Sequence, residues 1–475
     1  MSDKNSNEAL RAIPPVDDIL ADERLSGPRK QHPRFPWTRL VRSVVQEYRD
    51  LDKTPSDVDP ASRDSVRDWV VTQVGRACED LERGGQRRVI NGTGVILHTN
   101  LGRAVIGAGA RRAVDEALAH YMSLEFDLES GRRSKRAQTL NRLAALATGA
   151  EDALVVNNNA AAVYLVLGAF SPPGRVIVSR GELVEIGGSF RLPEILRHAS
   201  SEVIEVGTTN RTYAEDYENA AMAGDVLLKV HKSNYAMEGF VSEASHVDLV
   251  RVAAARNCRL VYDLGSGAVF DYRGAGIGGD EPVASVLDAG VDCVTMSGDK
   301  LLGGVQAGII AGRKEVLESV RHNPLRRAVR IDKVTVAALQ EILRQYLFGP
   351  GPESEVPVLA QVLAGLDVVR ERARAVAEVV ARRLGAGGPD VSAADDDAAM
   401  GGGSWSAESV ASAAVCIRCA GDKEAGRLAR RLRLNNPPVV PRVRGAEVRI
   451  NMRSVMPYED GELGDVLASV LASKP

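Results

Sequence analysis

Apolar positions recur along the chain in two rhythms, and the rhythm changes near residue 88. Before that point they fall at helical spacing over 40–51 and 65–82, which predicts a small helical region. Beyond it, short β-branched runs alternate with helical stretches. Strands are predicted at 153–156, 175–178, 203–206, 226–230, 259–263 and 292–296, with helical patterns between most of them, as at 160–167, 192–199 and 247–255. Alternation at this spacing predicts an α/β fold around a doubly wound, mostly parallel central sheet. From about residue 335 the texture changes again: a long helix at 359–384, strands at 413–417 and 448–452, and a helix at 423–434. The stretch AGGPDVSAADDDAAMGGGS, just after the long helix, is low in complexity and reads as a mobile loop. The predicted organisation is a helical domain at 1–85, a large α/β domain at 86–334 and a small α+β domain at 335–475.

Composition narrows the function classes. The chain has 475 residues, 44% hydrophobic and 26% charged, as in an ordinary globular protein with room for several domains. Lys plus Arg is 60 and Asp plus Glu is 63, a net charge of −3, which excludes a histone-like polybasic protein. A local basic patch remains compatible with that total. One such patch is 24–46, which carries Arg24, Arg29, Lys30, Arg34, Arg39 and Arg42 with no acid and interleaves His32, Phe35 and Trp37. That composition suits contact with a phosphate backbone. The longest apolar run, 160–170, falls short of the roughly 20 residues a bilayer span needs, and no membrane partner is expected. The polar N-terminus lacks a signal peptide's apolar stretch. Five scattered cysteines predict reduced thiols and a cytoplasmic location. Cys416 and Cys419 lie in an apolar strand-like run with no second pair and no nearby histidine, so no metal site is expected.

In a doubly wound sheet, ligands gather at the carboxyl ends of the strands. After the strand at 153 come Asn157, Asn158 and Asn159 and an alanine-rich helix, whose open N–H groups suit a phosphate. After the strand at 259 comes Asp263, in VYDLGSG, a carboxylate that is costly to bury without a partner. After the strand at 292 come Ser297 and Lys300, in SGDKLLGG. A lysine buried there loses solvation, its pKa falls, and its neutral amine can form a Schiff base. A Schiff-base lysine, an acid for a pyridinium nitrogen and a phosphate cradle are together the needs of pyridoxal 5′-phosphate. Two arginine pairs at three-residue spacing, Arg133 with Arg136 and Arg327 with Arg330, carry forked guanidinium groups suited to a phosphate-like anion, and Arg326 adjoins the second.

At this point the chain resembles the bacterial selenocysteine synthases, the L-seryl-tRNA(Sec) selenium transferases. The matching stretches include INGTGVILHTNLGRA at 90–104, TGAEDALVVNNNAAAV at 148–163, VSRGELVEIGGSFRLPE at 178–194, KVHKSNY at 229–235, DLGSG at 263–267, SGDKLLGGVQAGII at 297–310 and NPLRRAVRIDK at 323–333. The resemblance implies a fold-type-I pyridoxal phosphate-dependent transferase with a helical N-terminal domain and an α+β C-terminal lobe. It makes Lys300 the cofactor lysine and Asp263 the pyridinium partner. Asn157, Asn158, Asn159 and Ser297 would lie near the cofactor phosphate, and His231 and Glu182 would line the cofactor. Arg103, Arg136, Arg327 and Arg330 fall on family arginines of the selenophosphate site. Where the family has a glycine-rich GRGxR stretch, this chain reads Arg132-Arg133-Ser134-Lys135-Arg136.

The implied reaction converts Ser-tRNA(Sec) to L-selenocysteinyl-tRNA(Sec) through a cofactor-bound aminoacrylyl-tRNA, with selenophosphate as donor. Arg29, Lys30, Arg34 and Arg39 of the basic segment are the expected tRNA contacts. The family assembles as a homo-oligomer, a ring of dimers that is commonly a decamer. The alternative enzyme is a pyridoxal phosphate-dependent lyase acting on a small amino acid or amino-sugar acid, which would not need the domain at 1–85. A catalytically dead tRNA-binding protein is opposed by the presence of both Lys300 and Asp263.

Overall fold

The computed structural model describes residues 12–473 apart from 52, 53, 57, 83, 171–173, 187–189, 200–201, 233–234, 236, 274–279 and 403–408. The chain forms two compact units, Met1–Arg88 and Val89–Pro475.

The first unit is helical: α1 (Val16–Leu20), α2 (Glu23–Gln31), α3 (Trp37–Arg49) and α4 (Arg63–Glu82). Asp22 caps α2 by accepting from the Arg24 backbone N–H at 3.0 Å. Along α3 the buried positions are Trp37, Val41, Val44, Val45 and Tyr48, and along α4 they are Val66, Val70, Val71, Val74 and Cys78. These apolar stripes meet with Ile19 and Leu25 in one core.

In the second unit, β1 (Ile90–Gly92) precedes the central sheet. That sheet is made of β2 (Asp152–Val156), β3 (Arg175–Ser179), β4 (Glu202–Val206), β5 (Val226–Val230), β6 (Arg259–Gly265), β7 (Cys293–Ser297) and β8 (Gly308–Gly312). Its seven strands lie in the order β2-β8-β7-β6-β5-β3-β4. Five neighbours in sequence from β3 to β7 pair in parallel, and β8 runs antiparallel to both β7 and β2. Every strand except β8 therefore ends at one edge. Alternate residues serve different faces: Ile177, Leu227 and Leu260 enter one core, and Val176, Val178, Leu228 and Val261 enter the other.

A five-stranded sheet takes β9 (Val391–Ala399), β10 (Ser409–Arg418), β11 (Val439–Arg444) and β12 (Glu447–Asn451), in the order β1-β11-β12-β10-β9. So β1, near the start of this unit, belongs to the C-terminal sheet. The helix Lys333–Phe348 spans residue 335, and its Val336, Leu339, Ile342 and Leu343 lie in a core of the central sheet.

Two expectations are corrected. The stretch expected to be a mobile loop contains β9; its Asp396 is buried because Arg442 and Asn451 hold its carboxylate, the latter at 3.0 Å. The helix expected at 359–384 is two, Pro357–Leu363 and Leu366–Leu384. Between them, buried Arg453 takes the carbonyls of Gln361, Val362 and Ala364 at 2.7, 3.2 and 2.9 Å, which supplies partners to the end of the first helix. Residues 403 and 404 of the same stretch lie outside the described residues. Among the described residues, no helix is long and apolar enough to cross a membrane.

Candidate active site

Asp263 lies near the carboxyl end of β6, in register with Thr295 of β7. Its Oδ1 accepts from Thr295 Oγ1 at 2.9 Å and from Asn159 Nδ2 at 2.8 Å. Its Oδ2 accepts no hydrogen bond among the described residues. Burial raises the Asp263 carboxyl above the usual range; the two hydrogen bonds, Lys300 and His231 work against that rise without cancelling it. Beyond Asp263 the chain turns through Gly267, at φ +76°, where a Cβ would stand 2.6 Å from the Ser297 carbonyl oxygen. Only glycine lets the exit from β6 lie this close to the end of β7.

Lys300 follows β7 by three residues and is 5% exposed. Burial first, and the Arg103 cation second, push its amine below the ordinary lysine value; Asp263, Asp299 and Asp280 oppose them. Arg103 sits at φ +63° and donates from Nη1 to Asp299 Oδ2 at 2.7 Å. Ser297, the last residue of β7, is buried.

The three asparagines after β2 are placed differently from one another. Asn157 is exposed, and its backbone N–H donates to the Val329 carbonyl at 3.0 Å. Asn158 caps the helix Asn159–Phe170, its Oδ1 accepting from Ala161 N–H at 2.8 Å. Asn159 reaches Asp263. Behind this turn, Gly308 of β8 comes so close that a Cβ would stand 2.1 Å from the Asn158 carbonyl oxygen.

His231 follows β5 directly. Its backbone N–H donates to the Asp263 carbonyl at 3.0 Å, and its Nε2 lies 3.1 Å from Asp280 Oδ1. Glu182, expected to line the cofactor, has both oxygens engaged elsewhere: Oε1 with Lys229 Nζ at 3.0 Å and Oε2 with Val230 N–H at 2.9 Å. At 3% exposure it supports the end of β5.

Four buried polar atoms in these segments lack a partner among the described residues: Asn159 Oδ1, Ser266 Oγ, Asp280 Oδ2 and His98 Nδ1. Buried polar groups are nearly always bonded, so such a group of orphans fits a polar ligand. No group of three or more potential metal-ligating side chains occurs among the described residues.

The expected arginine foursome divides. Arg103 stays beside Asp299. Arg136 donates to the Ile331 carbonyl at 2.7 and 3.2 Å and to Glu125 at 3.0 Å. Arg330 reaches the same Glu125 oxygen at 3.5 Å, and Arg133 its other oxygen at 3.0 Å. Arg136 above all, then Arg133, holds the Glu125 carboxyl below its usual range. Arg327 is exposed and lines, with Arg136 and Arg330, a cavity of about 1050 Å³. Arg132 and Arg133, in the stretch where Arg132 and Ser134 stand for the family's glycines, pair with Phe126–Asp127 in a two-stranded hairpin.

In the helical unit, Arg29, Lys30, Arg34 and Arg39 are all exposed. Arg29 donates to the Leu20 carbonyl at 2.6 Å. Lys30, Arg34 and Arg39 have no ion-pair partner among the described residues. Arg24 differs: Asp22 and Asp68 hold its guanidinium at 2.9 and 2.7 Å.

Sequence reasoning missed Thr295, Asp280, Glu125 and Lys229. Thr295 is visible only through strand register, and Glu125 only once the hairpin brings Arg133 back to it.

Residues 89–456 match the family described as L-seryl-tRNA selenium transferase, and residues 10–49 match the selenocysteine synthase N-terminal family. The chain is 40% identical to the L-seryl-tRNA(Sec) selenium transferase of Nitratidesulfovibrio vulgaris over 98% of this chain and 99% of that protein. It is 39% identical to the enzyme of the same name from Moorella thermoacetica, over 98% of each. Among solved structures, D-glucosaminate-6-phosphate ammonia-lyase superposes with a TM-score of 0.58 at 18% identity, covering 82% of this chain and 97% of that one. That last likeness shows the fold alone, a fold-type-I α/β architecture as expected. By its length-wide matches, the chain belongs to the L-seryl-tRNA(Sec) selenium transferase family.

Proposed function

We propose that this protein converts L-seryl-tRNA(Sec) to L-selenocysteinyl-tRNA(Sec), with pyridoxal 5′-phosphate at the carboxyl edge of the central sheet and selenophosphate as the donor. The observation that carries the reading is the buried amine of Lys300 beside the hydrogen-bonded carboxylate of Asp263. The residues fit the cofactor. Lys300 would hold its aldehyde, Asp263 Oδ2 its ring nitrogen, and the start of Asn159–Phe170 with Asn157, Asn158 and Ser297 its phosphate. Bound there, pyridoxal phosphate supplies an electron sink for the serine α-carbon.

The chain's own groups do the rest. Desolvation keeps the Lys300 amine neutral at a lower pH than an exposed lysine, so Nζ can take the serine α-proton and hold it. Asn159 and Thr295 fix the plane of the Asp263 carboxylate through Oδ1. Asp280 holds His231, which lines the site, while Glu182 acts at one remove by anchoring Val230. Arg136, Arg327 and Arg330 bind the selenophosphate anion, and Arg103 stands nearer Lys300. The serine β-hydroxyl leaves as water, the β-carbon bonds to selenium from selenophosphate, and water takes up the phosphoryl group as the selenium–phosphorus bond breaks, so phosphate departs.

The helical unit binds the tRNA through exposed cations, Lys30, Arg34 and Arg39 among them. The protein works as a homo-oligomer, a ring of dimers and a decamer in size. Exposed Leu118, Tyr121, Met122, Phe126 and Leu128 crowd one stretch and favour self-association. Five free cysteines accord with a reducing cytoplasm. The lyase alternative is supported only by a likeness of fold.

Borohydride reduction of the cofactor-loaded protein, followed by peptide mapping, tests the reading. The cofactor should be fixed on the peptide that contains Lys300, and Lys300→Ala should abolish selenocysteinyl-tRNA formation. Labelling at any other lysine overturns the assignment.

A further inference from the structure

The cavity that Arg136, Arg327 and Arg330 line is larger and more basic than one phosphate-like anion requires. Nine lysines and arginines line its roughly 1050 Å³ against four carboxylates, Glu125, Glu151, Asp152 and Glu318. Glu125 answers Arg133, Arg136 and Arg330, and Asp152 answers Arg321. Lys135, Arg142, Lys314, Arg326 and Arg327 remain: all five are exposed, and none has an ion-pair partner among the described residues. Five unanswered cations in one concavity make a focused positive field.

The place of the cavity matters as much as its charge. Leu154, Val155 and Val156 of β2 form part of its wall, and β2 is an edge strand of the central sheet. The chain leaves Val156 directly into Asn157–Asn159, and Asn159 holds Asp263. The wall therefore runs up to the edge that carries Lys300. His322 carries the only aromatic ring among the described lining residues, so the cavity offers no run of aromatic rings on which successive bases could stack.

We propose that this groove is the track for the single-stranded 3′ end of the aminoacylated RNA, which it grips by phosphates without reading bases. The proposal rests on the function argued above, because the reacting serine is an ester on that 3′ end and must be led to Lys300. Long, exposed, unpaired cations suit a flexible polyanion, and phosphate contacts position a strand without specifying its sequence. Lys135, Arg142, Lys314 and Arg326 hold the strand, and Arg327 with the Glu125-centred arginines is left for the small anion.

The test uses the full-length, cofactor-loaded protein and the double variant Arg142→Ala/Lys314→Ala. The probes are an uncharged RNA hairpin copying an acceptor stem with its single-stranded 3′ tail, and the same hairpin without the tail. Wild type should prefer the tailed hairpin. The variant should bind it roughly tenfold more weakly, with the blunt hairpin unaffected. Its slope of log affinity against log salt should fall by about 1.4, or about 0.7 for each lost single-strand contact. Its KM for selenophosphate should not change. Equal losses on both hairpins, or no loss on either, overturn the proposal. So does a raised selenophosphate KM with RNA binding intact, which would make the groove a site for the small anion. If wild type made no selenocysteinyl-tRNA yet kept the tail preference, the reaction assignment would fail while the groove stood.

Discussion

Replacing Lys229 with methionine tests how burial and charge support the site. The side chains of Lys229 and Glu182 are 8% and 4% exposed, and their charged atoms lie 3.0 Å apart. Lys229 also donates to the Ala244 carbonyl at 3.0 Å, and its ammonium lies 5.8 Å from the Tyr262 ring centroid. Burial already raises the Glu182 carboxyl above its usual range, with Lys229 pulling it back down. Lys229→Met keeps the length of the side chain and strands the carboxylate. Breaking a buried pair from one side costs about 3–5 kcal/mol, a large share of the roughly 5–15 kcal/mol that stabilises a folded protein. The loss has a definite pH sign. With Lys229 gone, the folded-state pKa of Glu182 rises further above its unfolded value of about 4.3, so the folded state binds more protons than the unfolded one above that pH. The variant's deficit against wild type should grow as the pH rises above the already raised wild-type pKa of Glu182, by up to about 1.4 kcal/mol per pH unit, and shrink again in acid. Urea unfolding followed by loss of the bound-cofactor absorbance reports on this unit. Glu182→Gln added to Lys229→Met should restore much of the loss at pH 7. A single variant within about 1 kcal/mol of wild type at pH 7, or a deficit that does not shrink in acid, refutes the reasoning.

Arg327→Ala and Arg330→Ala should spare dehydration of the tRNA-borne serine and slow selenium addition. A lost charge-assisted bond to an anion is worth about 1.5–3 kcal/mol, or roughly 10- to 150-fold in rate or affinity. Normal selenium transfer by both variants, measured as selenocysteine released from the tRNA, would count against the arginine site. A chain starting at Val89, where the second unit begins, should keep its cofactor absorbance and lose tRNA affinity. Undiminished binding of Ser-tRNA(Sec) at physiological salt would show that the helical unit is not the tRNA grip.

Much of the central sheet is legible because parallel strands buried on both faces are rich in β-branched residues. The pattern predicts β5 with its observed ends, and β2, β3, β4, β6 and β7 within two residues. It does not show β8. GIIAG is five residues that begin and end in glycine, and a short, uniformly apolar run carries no period. Nor does it show β9, whose SAADDDAA looks like a solvated loop until Arg442 and Asn451 are seen around Asp396. Lys300 and Asp263 are legible because each is a charge at the end of an apolar strand. The partners are not, because they are set by register and long-range contact: Thr295 lies across from Asp263 on β7, and Glu182 meets Lys229 over 47 positions. The triple asparagine reads as one phosphate cradle, whereas the turn gives Asn157, Asn158 and Asn159 separate partners.

The same desolvation acts in opposite senses on the two central groups. It raises the carboxyl of Asp263 and lowers the amine of Lys300, so both move toward their neutral forms. A neutral amine is the form that can attack a carbonyl, so burial favours the Lys300 chemistry directly. For Asp263, the proposed pyridinium partner, burial alone works against that role, because a neutral carboxyl cannot hold a cationic ring nitrogen. The structure counters this in part, with Asn159 and Thr295 both donating to Oδ1 and thereby stabilising the charged form. A ring cation at Oδ2 would add the remaining stabilisation. Asp263 is thus an acid whose ionisation is completed by its ligand, and Lys300 an amine prepared before the ligand arrives. Glu125 plays the complementary part in the basic cavity. It holds Arg133, Arg136 and Arg330 together against their mutual repulsion, so an incoming anion meets guanidinium groups already gathered.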